Sequence, residues 1–193
     1  MKVRITKNDA LVIVDVQYDF MPGGALPVPD GDKVVPILNN YIKIFNKAGS
    51  LIVASRDWHP ENHSSFKDYG GIWPVHCVQN TKGAEFHKDL RLPKNVYIVS
   101  KATSPDKDAY SAFQETGLVE YLRSKRIRRV FIGGLATDYC VKATVLDALK
   151  EGLCTFFLED ASRGVEVNKG DVEKAIDAML EQGGVKLNLN DII

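Results

Sequence analysis

Neither positive nor negative residues are in excess in this 193-residue chain, in which 25 Lys and Arg residues stand against 25 Asp and Glu. With a formal net charge of zero, no broad electrostatic field recommends a nucleic acid or a membrane surface as partner. Cysteine is scarce too: Cys77, Cys140 and Cys154 make an odd count without disulfide-like spacing. A reducing compartment is the natural reading. Long hydrophobic runs are absent, and the N-terminal MKVRITKNDALVIVDV has no signal-peptide cleavage pattern, so a cytoplasmic protein is expected. Internal repeats and low-complexity linkers are also lacking. The expectation is one domain spanning 1–193, long enough to bury a real core.

Short β-branched runs are present, alternating with helical periodicity. ALVIVDV (10–16), SLIVASRD (50–57), VYIVSK (96–101), RRVFIGG (128–134) and LCTFFLED (153–160) read as strands, with a short last one at VKLNL. Val34, Val35, Leu38, Ile42 and Phe45 recur at helical spacing behind Asp30, a candidate cap, and further helices are expected near 115–125, 138–151 and 170–182. The basic run SKRIRR (124–129) reads as a helix end, where cations suit the dipole. This alternation predicts an α/β fold: an open, mainly parallel sheet of about six strands with helices on both faces. The segment 58–95 is polar, rich in His, Trp, Gly and Pro, and too long for a plain connection. Loops of that length inside a compact domain are usually functional.

Open parallel sheets bind ligands at the carboxyl ends of their strands. Asp15, Asp57, His59, Lys101 and the GGLATDYC turn all fall there. A cysteine in the first turn of a helix meets unpaired N–H groups and the positive end of the dipole, which favour a thiolate. Lys101 beside Cys140 would lower the thiol pKa further, and Asp15 could accept its proton. Read singly, Cys140 is equally a small buried hydrophobe, Asp15 a turn cap and Lys101 a solvated strand end. Together they call for a shared explanation. Cys154, inside LCTFFL, is expected to be a buried hydrophobe.

A second group is RDWHPENHSSF (56–66) followed by GGIWPVHC (70–77). Asp57 and His59 alternate on an extended segment and point to one side, and His76 would arrive from the long loop. One carboxylate and two imidazoles suit Zn, Fe or Mn without choosing among them. His63 is a candidate fourth ligand or a supporting donor, and His87 is expected at the surface.

Taken in order, VDVQYDF, RDWHPENHSSF, WPVHC, SKATSPDKDAYSAF and GGLATDYCVKAT resemble the nicotinamidases, or pyrazinamidases, of the isochorismatase-like cysteine hydrolase superfamily. The resemblance runs from about residue 9 to 182. It implies Cys140 as nucleophile, Asp15 as general base and acid, and Lys101 as the cation holding both. It implies Asp57, His59 and His76 as ligands of one divalent metal, zinc first, with His63 in support. It further implies a cis Leu135–Ala136 peptide, an oxyanion hole from the N–H groups of Ala136 and Cys140, and a pocket of Phe20, Leu26, Trp73, Tyr110 and Tyr139. The activity implied is hydrolysis of nicotinamide, and of pyrazinamide, through a thioester, which fits NAD salvage. Family members often associate, so a homo-oligomer is compatible with the sequence. Three rivals differ in what they need: a metal-free ureido or carbamoyl amidase has no use for Asp57-x-His59, an isochorismatase does not need Cys140, and a redox sensor needs an exposed thiol but no cavity.

Overall fold

All residues, 1–193, are described in a computed structural model of the chain. Six strands form one sheet: β1 (Asp9–Val14), β2 (Leu51–Asp57), β3 (Tyr97–Lys101), β4 (Arg129–Leu135), β5 (Cys154–Arg163) and β6 (Val185–Leu187). Their spatial order is β3-β2-β1-β4-β5-β6, and every pairing is parallel. Four helices connect them: α1 (Val34–Lys47), α2 (Leu118–Ser124), α3 (Lys142–Lys150) and α4 (Asp171–Glu181).

β1 is buried along its whole length, which is why it reads as an unbroken apolar run. Its residues still alternate. Leu11 and Ile13 join one core layer with Leu38, Tyr41 and Phe45 of α1 and with Phe131 and Phe156. Ala10, Val12 and Val14 join the other with Leu118 and Leu122 of α2, Val145 of α3 and Met179 of α4. The period of two in a strand thus sends each set to its own layer of helices.

The chain winds outward in both directions from the β1/β4 pair, so the order reverses there and a crevice opens beyond the carboxyl ends of these strands. At that point β4 packs tightly against β1. Gly134 sits opposite Val14 with φ +131°, and a Cβ built on it would lie 2.1 Å from the Val14 carbonyl oxygen. Only glycine fits that contact.

Three local expectations are corrected. Asp30 does not cap α1: it takes a left-handed conformation before a short 3₁₀ turn (Gly31–Lys33), caps nothing with its side chain, and pairs with Lys33 at 2.9 Å. Cys154 is exposed, because β5 begins at that residue, at the amino-terminal rim of the sheet. The helix expected over 138–151 is divided into a π-helical turn (Thr137–Val141) followed by α3. The loop 58–95 holds short 3₁₀ turns at Lys67–Tyr69 and Lys82–Ala84 and isolated bridges that pair His59 with Val78 and Phe66 with Trp73.

Candidate active site

Four chemically able side chains lie at or just beyond strand ends. Asp15 follows β1 directly with φ 50°, Asp57 and Lys101 close β2 and β3, and Cys140 lies in the π turn after β4. Register makes two of them neighbours, since Asp57 and Lys101 pair across β2 and β3. The Lys101 ammonium is fully buried, donates a hydrogen bond to Asp57 Oδ1, and stands 2.9 Å from Asp15 Oδ2 and 3.4 Å from Cys140 Sγ.

A buried ammonium is tolerable only with compensating charge. Here burial disfavours the charged form, but Asp15, Asp57 and Cys140 overturn that and hold the Lys101 pKa well above its usual value. Burial likewise raises Asp15, opposed by Lys101 and reinforced by Asp57, with a net shift above the ordinary carboxylate range. Its Oδ1 accepts the Ser55 hydroxyl at 2.7 Å, whereas Oδ2 faces the Lys101 ammonium at 2.9 Å.

The thiol departs from expectation. Lys101 does pull the Cys140 pKa down, yet burial outweighs it, so the group is pushed well up and rests as a neutral thiol. Deprotonation therefore needs a base within reach. One oxygen of Asp15, one of Asp57 and the sulfur of Cys140 lie within 4.8 Å of one another.

Beside this trio, Asp57, His59 and His76 converge, each buried, with one ligand atom apiece within the same 4.8 Å limit. Asp57 Oδ2 is 3.6 Å from His59 Nε2 and 3.9 Å from His76 Nε2. The far nitrogens face main-chain carbonyls, His59 Nδ1 that of Ala102 at 3.2 Å and His76 Nδ1 that of Pro74 at 2.8 Å. Donation to those carbonyls orients both rings with Nε2 on the side of Asp57. Burial lowers the His76 pKa, which keeps its imidazole neutral. His59 Nε2 is buried without any hydrogen-bond partner, the condition of a ligand atom reserved for an ion. The donor set fits a divalent metal such as zinc.

His63 is not one of the converging three. It lies against the His59 ring, with centroids 4.2 Å apart. Its Nδ1 accepts from Ser65 Oγ at 2.7 Å, and its Nε2 faces the Lys107 carbonyl at 3.1 Å. His87 is half-buried against Tyr18.

Both groups open on one cavity lined by Phe20, Leu26, Trp73, Tyr110 and Tyr139 together with Ala136 and Cys140. The Trp73 indole N–H donates to the Tyr110 hydroxyl at 2.9 Å, and Tyr139 packs edge-on against Trp73. The Leu135–Ala136 peptide is cis. Two lining residues, Val28 and Val165, were not anticipated, since lone valines in loops carry no sequence signal.

The family model of the isochorismatase domain matches residues 9–191. The chain belongs to the isochorismatase family. Within the isochorismatase family it is 39% identical to a nicotinamidase of Escherichia coli, over 94% of this chain and 95% of that protein. It superposes with a TM-score of 0.91 on a pyrazinamidase of Pyrococcus horikoshii in complex with zinc, at 53% identity over 94% of this chain and 99% of the other. A protein of L. infantum in complex with nicotinate superposes with the same TM-score at 34% identity, over 100% of this chain and 99% of that one.

Proposed function

We propose that this chain is a nicotinamidase, a metal-dependent cysteine hydrolase that converts nicotinamide to nicotinic acid and ammonia and also accepts pyrazinamide. The observation that carries this reading is the meeting of two groups in one apolar cavity: a thiol with its carboxylate base and buried ammonium, and a carboxylate with two imidazoles. Full-length identity to a nicotinamidase supports the same substrate.

Asp57, His59 and His76 would hold the ion, for which zinc, present in the P. horikoshii relative, is our assignment. When bound, the metal supplies an electrophilic anchor for a ring nitrogen. The chain's own residues perform the covalent steps. The Asp15 carboxylate takes the Cys140 proton, and the sulfur attacks the amide carbon. Lys101 remains an ammonium throughout and balances the negative charge that moves between sulfur and carboxylate. The N–H groups of Ala136 and Cys140 serve as oxyanion donors. Asp15 then returns its proton to the departing ammonia and activates the water that cleaves the thioester. The aromatic side chains clamp the flat ring and exclude bulk water.

Such an activity would fit NAD salvage, and we place it in the cytoplasm; no helix is long and apolar enough to cross a membrane. Ammonia release from nicotinamide, before and after chelation and with zinc restored, tests the assignment. Turnover that is lost and then recovered is expected for the native chain, with none in Cys140→Ala. No release under any metal would move the substrate to a ureido or carbamoyl compound.

A further inference from the structure

We propose that Asp138, two residues before the nucleophile, is the positioning residue for one wall of the substrate cavity, holding Val165 in place and thereby setting which substituted pyridine rings are accepted. This proposal rests on the nicotinamidase reading for its substrate, though the contact itself does not.

The Asp138 carboxylate is buried, and it is spent entirely on a remote segment. Its Oδ1 accepts the Val165 N–H at 2.9 Å and its Oδ2 the Glu166 N–H at 2.8 Å. Both donors lie in the loop between β5 and α4. Outside the regular elements, no main-chain hydrogen bond involves Val165, Glu166 or Val167, so this carboxylate takes the place of a strand partner. Two hydrogen bonds to one ionised group are among the stronger polar contacts a protein makes.

The fit around the carboxylate is close. A Cβ on Gly164 would lie 3.0 Å from Asp138 Oδ1 and 2.1 Å from a methyl of Val172, so the loop enters against the carboxylate with no room to slide. Glu166 has φ 54°, and its own carboxylate accepts the Gly170 N–H at 2.7 Å. The side chain delivered by this fixture is Val165, which lines the cavity together with Leu26, Ala136 and Tyr139. One residue thus joins the nucleophile turn to a wall that takes no part in the bond changes. Loosening the wall should alter ring binding and leave the chemical steps nearly intact.

Hydrogen exchange and steady-state kinetics test this together. In the wild-type protein the N–H groups of Val165 and Glu166 should exchange at least about tenfold more slowly than that of Val167. In Asp138→Asn one oxygen becomes an amide NH2 that cannot accept, so exchange at one of these two positions should rise and KM for nicotinamide should increase about tenfold, with kcat within about threefold. Val165→Ala leaves the main-chain contact in place, and it should raise kcat/KM for a ring-methylated nicotinamide relative to nicotinamide by about tenfold. Equal exchange at the three wild-type positions would overturn the contact. An unchanged selectivity ratio in Val165→Ala, or a fall in kcat at constant KM in Asp138→Asn, would overturn the positioning role. Failure of the wild-type enzyme to turn over nicotinamide would overturn the substrate assignment instead, leaving the exchange measurement to decide the contact.

Discussion

Gln17 clasps the main chain of Asp57 from both sides: its Oε1 accepts the Asp57 N–H at 2.8 Å, and its Nε2 donates to the Asp57 carbonyl at 2.8 Å and to that of Ala84 at 3.0 Å. The side chain is fully buried and stands in for a missing strand at the end of β2. Asp57 in turn is the residue that the ion pair and the candidate metal ligands share.

Gln17→Leu keeps the volume but leaves those main-chain groups without partners, which destabilises by roughly 1–3 kcal/mol for each group that stays dry. Zinc affinity, read by competition with a chromogenic chelator, should weaken about tenfold, as for other groups that orient a ligand. Wild-type zinc affinity in a folded Gln17→Leu protein would remove the clasp from the account of the metal site.

The Ser55 hydroxyl gives a pH signature. Burial raises the Asp15 pKa, and the hydrogen bond from Ser55 opposes that by favouring the carboxylate. Since Asp15 must be ionised to accept the thiol proton, activity is lost as pH falls through this raised value. The acid limb of kcat/KM should therefore lie above the usual carboxylate range. In Ser55→Ala it should move about one unit further up, the equivalent of one hydrogen bond to a charged group. A limb that stays put or shifts downward contradicts the assignment of Asp15 as base.

Much of this site was readable because strand ends concentrate chemistry: Asp15, Asp57 and Lys101 each close or follow an apolar run that composition alone identifies. What escaped depended on contacts between distant segments. The Cys140 thiol was expected to be acidified by Lys101, but burial, which spacing does not reveal, outweighs that cation. Asp30 looks like a helix cap until its left-handed backbone turns it toward Lys33. Cys154 reads as the interior of a strand, whereas the sheet begins at that residue and leaves it exposed. Val165 and its anchor Asp138 are 27 residues apart, a separation at which no local pattern operates.

Gly134→Ala tests the switch point. A methyl there would sit 2.1 Å from the Val14 carbonyl oxygen and 2.7 Å from the Val14 nitrogen, with the backbone at φ +131°. Neither strand can yield without breaking the β1/β4 pairing that presents Asp15 and Cys140 to one another. We expect a loss of more than about 4 kcal/mol by urea titration, or failure to accumulate as folded protein. A soluble variant within about 1 kcal/mol of the parent would show that this approach relaxes more readily than the geometry indicates.

Tyr41 sets an alkaline limit on stability. Its hydroxyl, on α1, donates to Asp160 Oδ1 at 2.9 Å, while Asp160 Oδ2 accepts the Leu189 N–H at 2.9 Å, so one carboxylate ties the helix to β5 and to the turn after β6. Burial and the adjacent carboxylate both raise the Tyr41 pKa well above that of a free tyrosine. A raised folded-state value means the contribution is complete below the unfolded pKa of about 10 and is lost as pH rises beyond it, because the unfolded chain releases a proton that the native state retains. Tyr41→Phe should cost about 1.5–3 kcal/mol at neutral pH, where the hydrogen bond to the carboxylate is intact. Above pH 10 the variant should lose stability less steeply than the parent, by up to about 1.4 kcal/mol per pH unit, so that the two urea midpoints converge. Parallel pH profiles for the two proteins would mean that Tyr41 ionises in the native state as readily as in the unfolded one, and the buried tie to Asp160 would not be the constraint described.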